Sequence, residues 1–159
     1  MNKFKKSNRR ILREKVLQIL YAMELNSDAG PGVTNQILGE LNSKMDMNFA
    51  RLLINSVIEN KNELEEIIIK KISNWEVDRI ALIDRLLLRI GVAEMLYFDE
   101  IPPKVTINEM IEISKEYSTA KSAKFINGIL DAILYDLKKN GRLKKSGRGL
   151  IDKTLHKKS

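Results

Sequence analysis

Lys6, Arg9, Arg10 and Arg13 recur at intervals of three and four near the start of the chain. On a helix that spacing sets them along one flank. Ammonium and guanidinium groups in such a row suit a polyanion, because each phosphate contact releases condensed counterions. Cations at the start of a helix oppose its macrodipole, so helix stability alone does not account for the cluster. A second set lies around "KFINGILDAIL", residues 124–134. Lys121 and Lys124 stand near the expected amino end of the last helix, where free backbone N–H groups also favour anions. Phe125 has two readings from its spacing. It is either a core residue or a partly exposed ring on which a base stacks, with Asn127 hydrogen-bonding beside it.

Other chemistry is not signalled. The chain has no cysteine, which removes disulfides, thiolate metal sites and thiol catalysis. There is no Gly-rich phosphate loop, no His-Glu-x-x-His zinc pattern and no nucleophile elbow. The single histidine, His156, lies in a basic tail. Glu65-Glu66 and Asp99-Glu100 read as solvated surface, since a catalytic acid pair needs one carboxyl raised by burial. The expectation is a binding protein rather than an enzyme, with no metal and no cofactor.

Helices must position these residues, for helical periodicity dominates and no segment sustains strand alternation. The first helix is expected from a cap at Ser7 or Asn8 to about Asn26, broken by "NSDAGPG". A short helix follows near 34–41, then one capped by Asp46 with Phe49, Leu52, Leu53, Ile54 and Val57 inward. Another begins at Asn62, and a long one spans about 77–98. Pro102-Pro103 predicts an extended corner, and Thr106-Ile107-Asn108-Glu109 reads as a capping box opening the next helix. Ser122 can cap the last helix. Its apolar set Phe125, Ile126, Ile129, Leu130, Ile133, Leu134 and Leu137 keeps phase across Asn127-Gly128. That pair therefore sits inside a helix despite its turn signature, and Gly128 is expected to let a neighbouring helix approach closely. The fold class is all-α: a bundle of about seven helices.

Composition agrees with one domain. The chain has 159 residues, 43% of them hydrophobic, with only three prolines, enough for a proper core. No apolar run approaches the ~18 residues of a membrane span, so no membrane role is expected. The basic amino terminus, whose apolar part is interrupted by charges, reads as mature sequence rather than a targeting segment. The net charge of +7 is unevenly placed: residues 1–15 carry +6, residues 138–159 carry +8 and the body between them −7. From charge alone, nucleic-acid binding and simple solubilisation both remain open. The stretch 138–159 loses periodicity and reads as a flexible basic tail.

Four collinear blocks carry a family resemblance. "RRILREKVLQILYAMEL" at 9–25, "NWEVDRIALIDRLLLRIGVAEMLY" at 74–97, "IPPKVTINEMIEISKEY" at 101–117 and "SAKFINGILDAI" at 122–133 together resemble the NusB family of bacterial transcription antitermination factors. The resemblance implies one helical domain, 1–137, built of two packed three-helix subdomains at about 8–72 and 74–137. It implies pairing with a small-subunit ribosomal protein, NusE, and binding of single-stranded boxA RNA. The complex would join RNA polymerase and other Nus factors in read-through of ribosomal RNA operons, in the bacterial cytoplasm. By position, Arg9, Arg10 and Arg13 fall in the family's RNA-facing arginine-rich start. Lys121, Ser122, Lys124, Phe125 and Asn127 fall in its second RNA-contacting segment. Tyr21, Asp84, Arg85 and Arg89 align with the region that meets the ribosomal protein, a surface that could also form a homodimer. Ile11 stands where some members have a further Arg, and Ile126 replaces the usual Val.

Two other readings compete. RNA cytosine methyltransferases carry a similar helical domain at their amino end, but that reading needs a downstream catalytic domain with cysteines. A helical protein–protein module with merely solubilising ends is the third.

Overall fold

The computed structural model describes residues 6–41, 44–72 and 79–151. They form α-helices and two short 3-10 turns, with no strand among the described residues. The chain divides into two compact units, residues 1–55 and 56–159.

In the first unit, α1 (Asn8–Leu25) starts where its cap predicts: the Ser7 side chain accepts from Arg10 N at 3.1 Å. It buries Leu12, Val16, Leu17, Ile19 and Leu20. Each fully buried aliphatic side chain of this kind contributes about 1.5–3 kcal/mol. A 3-10 turn at Ser27–Ala29 leads into α2 (Gly30–Leu38), which packs on α1. The expected break at "NSDAGPG" is thus narrower than its composition implies, because Pro31 lies in the first turn of a helix, where its missing N–H costs nothing. Next comes α3 (Lys44–Glu59), across which the division between the units falls. Phe49, Leu53, Ile54 and Val57 are buried as expected, whereas Leu52 is 54% exposed.

The second unit continues with α4 (Lys61–Ile69), α5 (Leu82–Tyr97), α6 (Pro103–Tyr117) and α7 (Ala120–Lys139). Because α4 packs on α5 and α7, this division falls earlier than the sequence-based break near residue 73. Residues 86–95 of α5 are all buried, so this helix forms the centre, with α6 and α7 against it. The long helix expected from 77 begins only at Leu82 among the described residues; 77 and 78 lie outside them.

Three local expectations are corrected. The helix after the Pro-Pro corner opens at Pro103, not at Thr106. Proline fits the first helical position, and Thr106 is instead fully buried, donating to Glu94 Oε1 at 3.1 Å. Gly128 does not receive a neighbour: a Cβ there meets nothing within 4 Å. The close approach occurs at Gly91, where a Cβ would lie 3.1 Å from both Leu130 methyls and 3.3 Å from Met110 Cγ.

The third concerns the expected flexible tail, whose first part is structured. Gly141, at φ +68°, ends α7 in a Schellman motif: Arg142 N donates to Leu137 O at 2.9 Å and Gly141 N to Lys138 O at 3.2 Å. The chain then turns back over α5. Lys145 Nζ donates to the carbonyls of Phe98 (2.7 Å) and Glu94 (3.2 Å), and Ser146 N to Asp99 O at 3.0 Å. Burial pushes the Lys145 pKa down, against the pull of Glu94 and Asp99. A 3-10 turn at Gly147–Leu150 places Gly149 so tightly that a Cβ would collide with the Asp99 carbonyl. The rest of the tail, with His156, lies outside the described residues.

Candidate nucleic-acid interface

The basic row on α1 separates into distinct roles. Arg9 is exposed, with its guanidinium 3.9 Å from the centroid of the Phe49 ring. That cation–π contact holds an otherwise floppy side chain in one direction. Arg10 is half-buried. Lys6 is tied to Glu14 by an ion pair of 2.9 Å. Arg13, one turn below Arg9, is only 2% exposed, its guanidinium 5.6 Å from the same Phe49 ring. The equal weight the sequence gives these four cations is therefore not kept. Arg9 is exposed and Arg10 half-buried, whereas Arg13 belongs to the packing beneath them. Its place beside Leu12 and Val16 on the wide buried arc was the signal for this. Phe49 as the platform under two arginines was not foreseeable from local spacing.

The second set gathers at the start of α7. Here the helix is capped by Thr119 and not by Ser122: Thr119 Oγ1 accepts from Ser122 N at 3.0 Å. Ser122 is thereby free for another task. Its hydroxyl accepts from Ser118 Oγ (2.9 Å) and Thr119 Oγ1 (3.1 Å), and donates to Asp84 Oδ2 at 2.7 Å. The first turn of α5 is thus tied to the first turn of α7.

Phe125 is half-exposed, while its neighbours Ala123 and Ile126 are buried. The open choice between core and rim resolves towards the rim. With Lys121, Ser122 and Thr119 of the α7 start, Asp84 of α5 and Arg79, Ile80 and Ala81 just before it, the ring lines a recess of about 370 Å³. Lys121, Lys124 and Asn127 are exposed beside it. A half-exposed aromatic face, cations on one flank and the open amino end of a 20-residue helix are suited to a stacked base and its phosphates. The chain around Arg79 carried no sequence signal for this site.

The residues aligned with a protein partner are less uniform. Tyr21 is 37% exposed on α1. Arg85 and Arg89 both pair with Glu65 of α4, the former at 3.3 Å. Arg89 and Asp84 are each 5% exposed. These two side chains are buried, Asp84 tying α5 to α7 and Arg89 tying it to α4. A buried charge keeps its place only when paired or hydrogen-bonded.

Among the described residues no group of acidic or histidine side chains could hold a metal ion, and no helix is long and apolar enough to cross a membrane.

Comparison with known proteins gives a consistent picture. The model of the NusB family matches residues 10–135. A transcription antitermination protein NusB of Chloroherpeton thalassium is 48% identical over 147 residues, covering 91% of this chain and 70% of the relative. Another from Salinibacter ruber is 48% identical over 149 residues, covering 91% and 92%. A crystal structure of the antitermination factors NusB and NusE in complex with double-stranded RNA superimposes with a TM-score of 0.73 at 26% identity. It covers 81% of this chain and 97% of that one.

Proposed function

The chain belongs to the NusB family and is a transcription antitermination factor, and we propose that it works as an adaptor holding single-stranded boxA RNA together with a NusE-type ribosomal protein. The observation that carries this reading is the half-exposed Phe125 ring, set beside Lys121 and Lys124 at the open start of α7. Arg9, fixed over Phe49, and Arg10 supply a second cationic contact on α1. The solved complex of NusB and NusE with RNA supports both classes of partner. In this reading Tyr21, and Leu25 one turn on at 67% exposure, present an apolar strip of α1 to the ribosomal protein or to a second copy of the chain. Arg89 and Asp84 act behind the surface by fixing α5, and the half-buried Arg85 reaches the surface beside them. The role is one of binding in the cytoplasm, within a polymerase-bound assembly of Nus factors, and involves no reaction.

Binding of boxA RNA, measured with and without the ribosomal partner across a salt series, tests the reading. The affinity should rise with the partner and fall linearly as log salt rises. Phe125→Ala should cost ~1–3 kcal/mol of RNA binding with the circular dichroism spectrum unchanged. Arg10→Ala should reduce the salt slope by about 0.7, the contribution of one phosphate contact to a single strand. A spectrum that collapses in Phe125→Ala would return the ring to the core. An unchanged slope would remove Arg10 from the interface.

A further inference from the structure

We propose that RNA held at Phe125 continues along the exposed face of α7 and stacks a second base on Tyr135, over a floor made by Gly128 and Ala132. This rests on the RNA-binding reading above and extends its site to the far end of the helix.

Tyr135 is 67% exposed. It stands opposite the buried stripe of Ile126, Ile133 and Leu137, so its ring is offered to solvent and not to the core. At 3.6 residues per turn and 1.5 Å per residue, Tyr135 lies about 15 Å along the axis from Phe125 and about 80° around it. The arc of α7 between the two rings carries only Lys121, Gly128, Ala132 and Lys139. Two small residues thus lie between the rings, with a cation at each end of the arc. No acid shares it. Asp131 falls outside, beyond Tyr135, and Asp136, beyond Phe125, is paired with Lys71.

Gly128 adds a second observation. A glycine inside a helix is destabilising relative to alanine. At Gly91 the packing of Leu130 and Met110 accounts for that cost, but a Cβ at Gly128 meets nothing among the described residues. A ligand from outside the chain accounts for it, because the missing side chain opens the helix surface to a sugar-phosphate backbone.

Each feature alone is ordinary. Lysines at a helix end suit its macrodipole, and a single exposed apolar side chain needs no explanation. Aligned on one acid-free arc and continuous with the ring and lysines of the recess, they form the alternation of stacking surfaces and cations that holds a single strand. The positive charge at both ends of the arc and its direct continuity with Phe125 make RNA the occupant.

The test is fluorescence anisotropy of the full chain with two labelled RNA strands. Each carries boxA flanked on both sides by four nucleotides, adenosines in one strand and abasic riboses in the other. Both have the same phosphates, so base stacking alone separates them. The unaltered protein should bind the adenosine-flanked strand more tightly by roughly fivefold or more, the worth of one base on an aromatic ring. Tyr135→Ala should remove that gain and Tyr135→Phe should keep it. Lys139→Gln should lower the salt slope for both strands by about 0.7. Gly128→Leu should weaken both strands with the helical spectrum unchanged. Equal affinity for the two strands, or a gain that survives Tyr135→Ala, would overturn the proposal while leaving RNA binding intact. Failure of both strands to bind would overturn the RNA reading and the proposal with it. Loss of the ribosomal protein in Tyr135→Ala, with the adenosine gain kept, would assign this face to a protein and overturn the proposal.

Discussion

Tyr97, at the end of α5, donates its phenolic hydrogen to Glu63 Oε2 at 2.9 Å, and Arg142 pairs with the same carboxylate. Burial, then the hydrogen bond and the negative charge of Glu63, push the Tyr97 pKa up to about 12, with Arg142 pulling the other way. The unfolded chain loses this proton near pH 10, whereas the folded protein keeps it. The contribution to stability is therefore complete below pH 10 and is lost as pH rises towards 12. Tyr97 should give a late step near pH 12 in an ultraviolet titration, a step that Tyr97→Phe lacks. Glu63→Gln should lower that late titration without abolishing the delay, because burial is the larger cause. Arg142→Gln should move it higher. Absence of that late step from the unaltered protein would contradict the arrangement. The arginines of α1 teach the same lesson about partners. Arg9 and Arg13 share a flank, as their spacing required, and both meet Phe49, a residue of another helix; Arg13 is buried beside Leu12 and Val16 while Arg9 stays exposed. Residue type, period and the buried arc were legible in the sequence; the Phe49 ring beneath both arginines was not.

At the scale of elements, two Asn-Gly pairs separate local signal from context. Asn127-Gly128 lies within α7, as the unbroken apolar phase required, and Asn140-Gly141 ends the same helix in a left-handed turn. Phase distinguishes the two, since no apolar position continues the pattern beyond Leu137. The helices were legible because their buried stripes repeat over three or more turns. Their starts were less so. A Ser or Thr pattern fits several offsets, and only packing decides between Pro103 and Thr106, or between Thr119 and Ser122. Glycine shows the limit most clearly. Gly91 and Gly128 look alike in sequence, yet only Gly91 has Leu130 and Met110 within reach of a Cβ. Gly128→Ala should thus stabilise the fold by about 0.5–1 kcal/mol, the helix-propensity difference. Gly91→Val should destabilise it by about 1–3 kcal/mol through overpacking. Urea unfolding of both variants measures these effects. A loss of stability in Gly128→Ala would mean that this position is packed after all.

For the whole molecule, the decisive feature is where its charge goes. Residues 138–159 carry +8 against a body of −7, and composition alone read that segment as a flexible basic tail, either binding a polyanion or only solubilising the chain. Composition could not show that Arg142 meets Glu63 of α4, or that Lys145 and Ser146 meet carbonyls at the end of α5 and just beyond it, because those contacts join positions far apart in sequence. The segment up to Leu150 is therefore a strap as well as a charge reservoir, and the two roles can be separated. Removing residues 141–159 deletes seven Lys or Arg and one Asp, taking the net charge from +7 to +1. If the strap contributes its hydrogen bonds, the shortened chain should lose about 1–3 kcal/mol of stability, read by urea unfolding in 0.5 M salt, where surface charge effects are largely screened. If the segment only attracts polyanions, stability at that salt should not change, and only the low-salt affinity for RNA should fall.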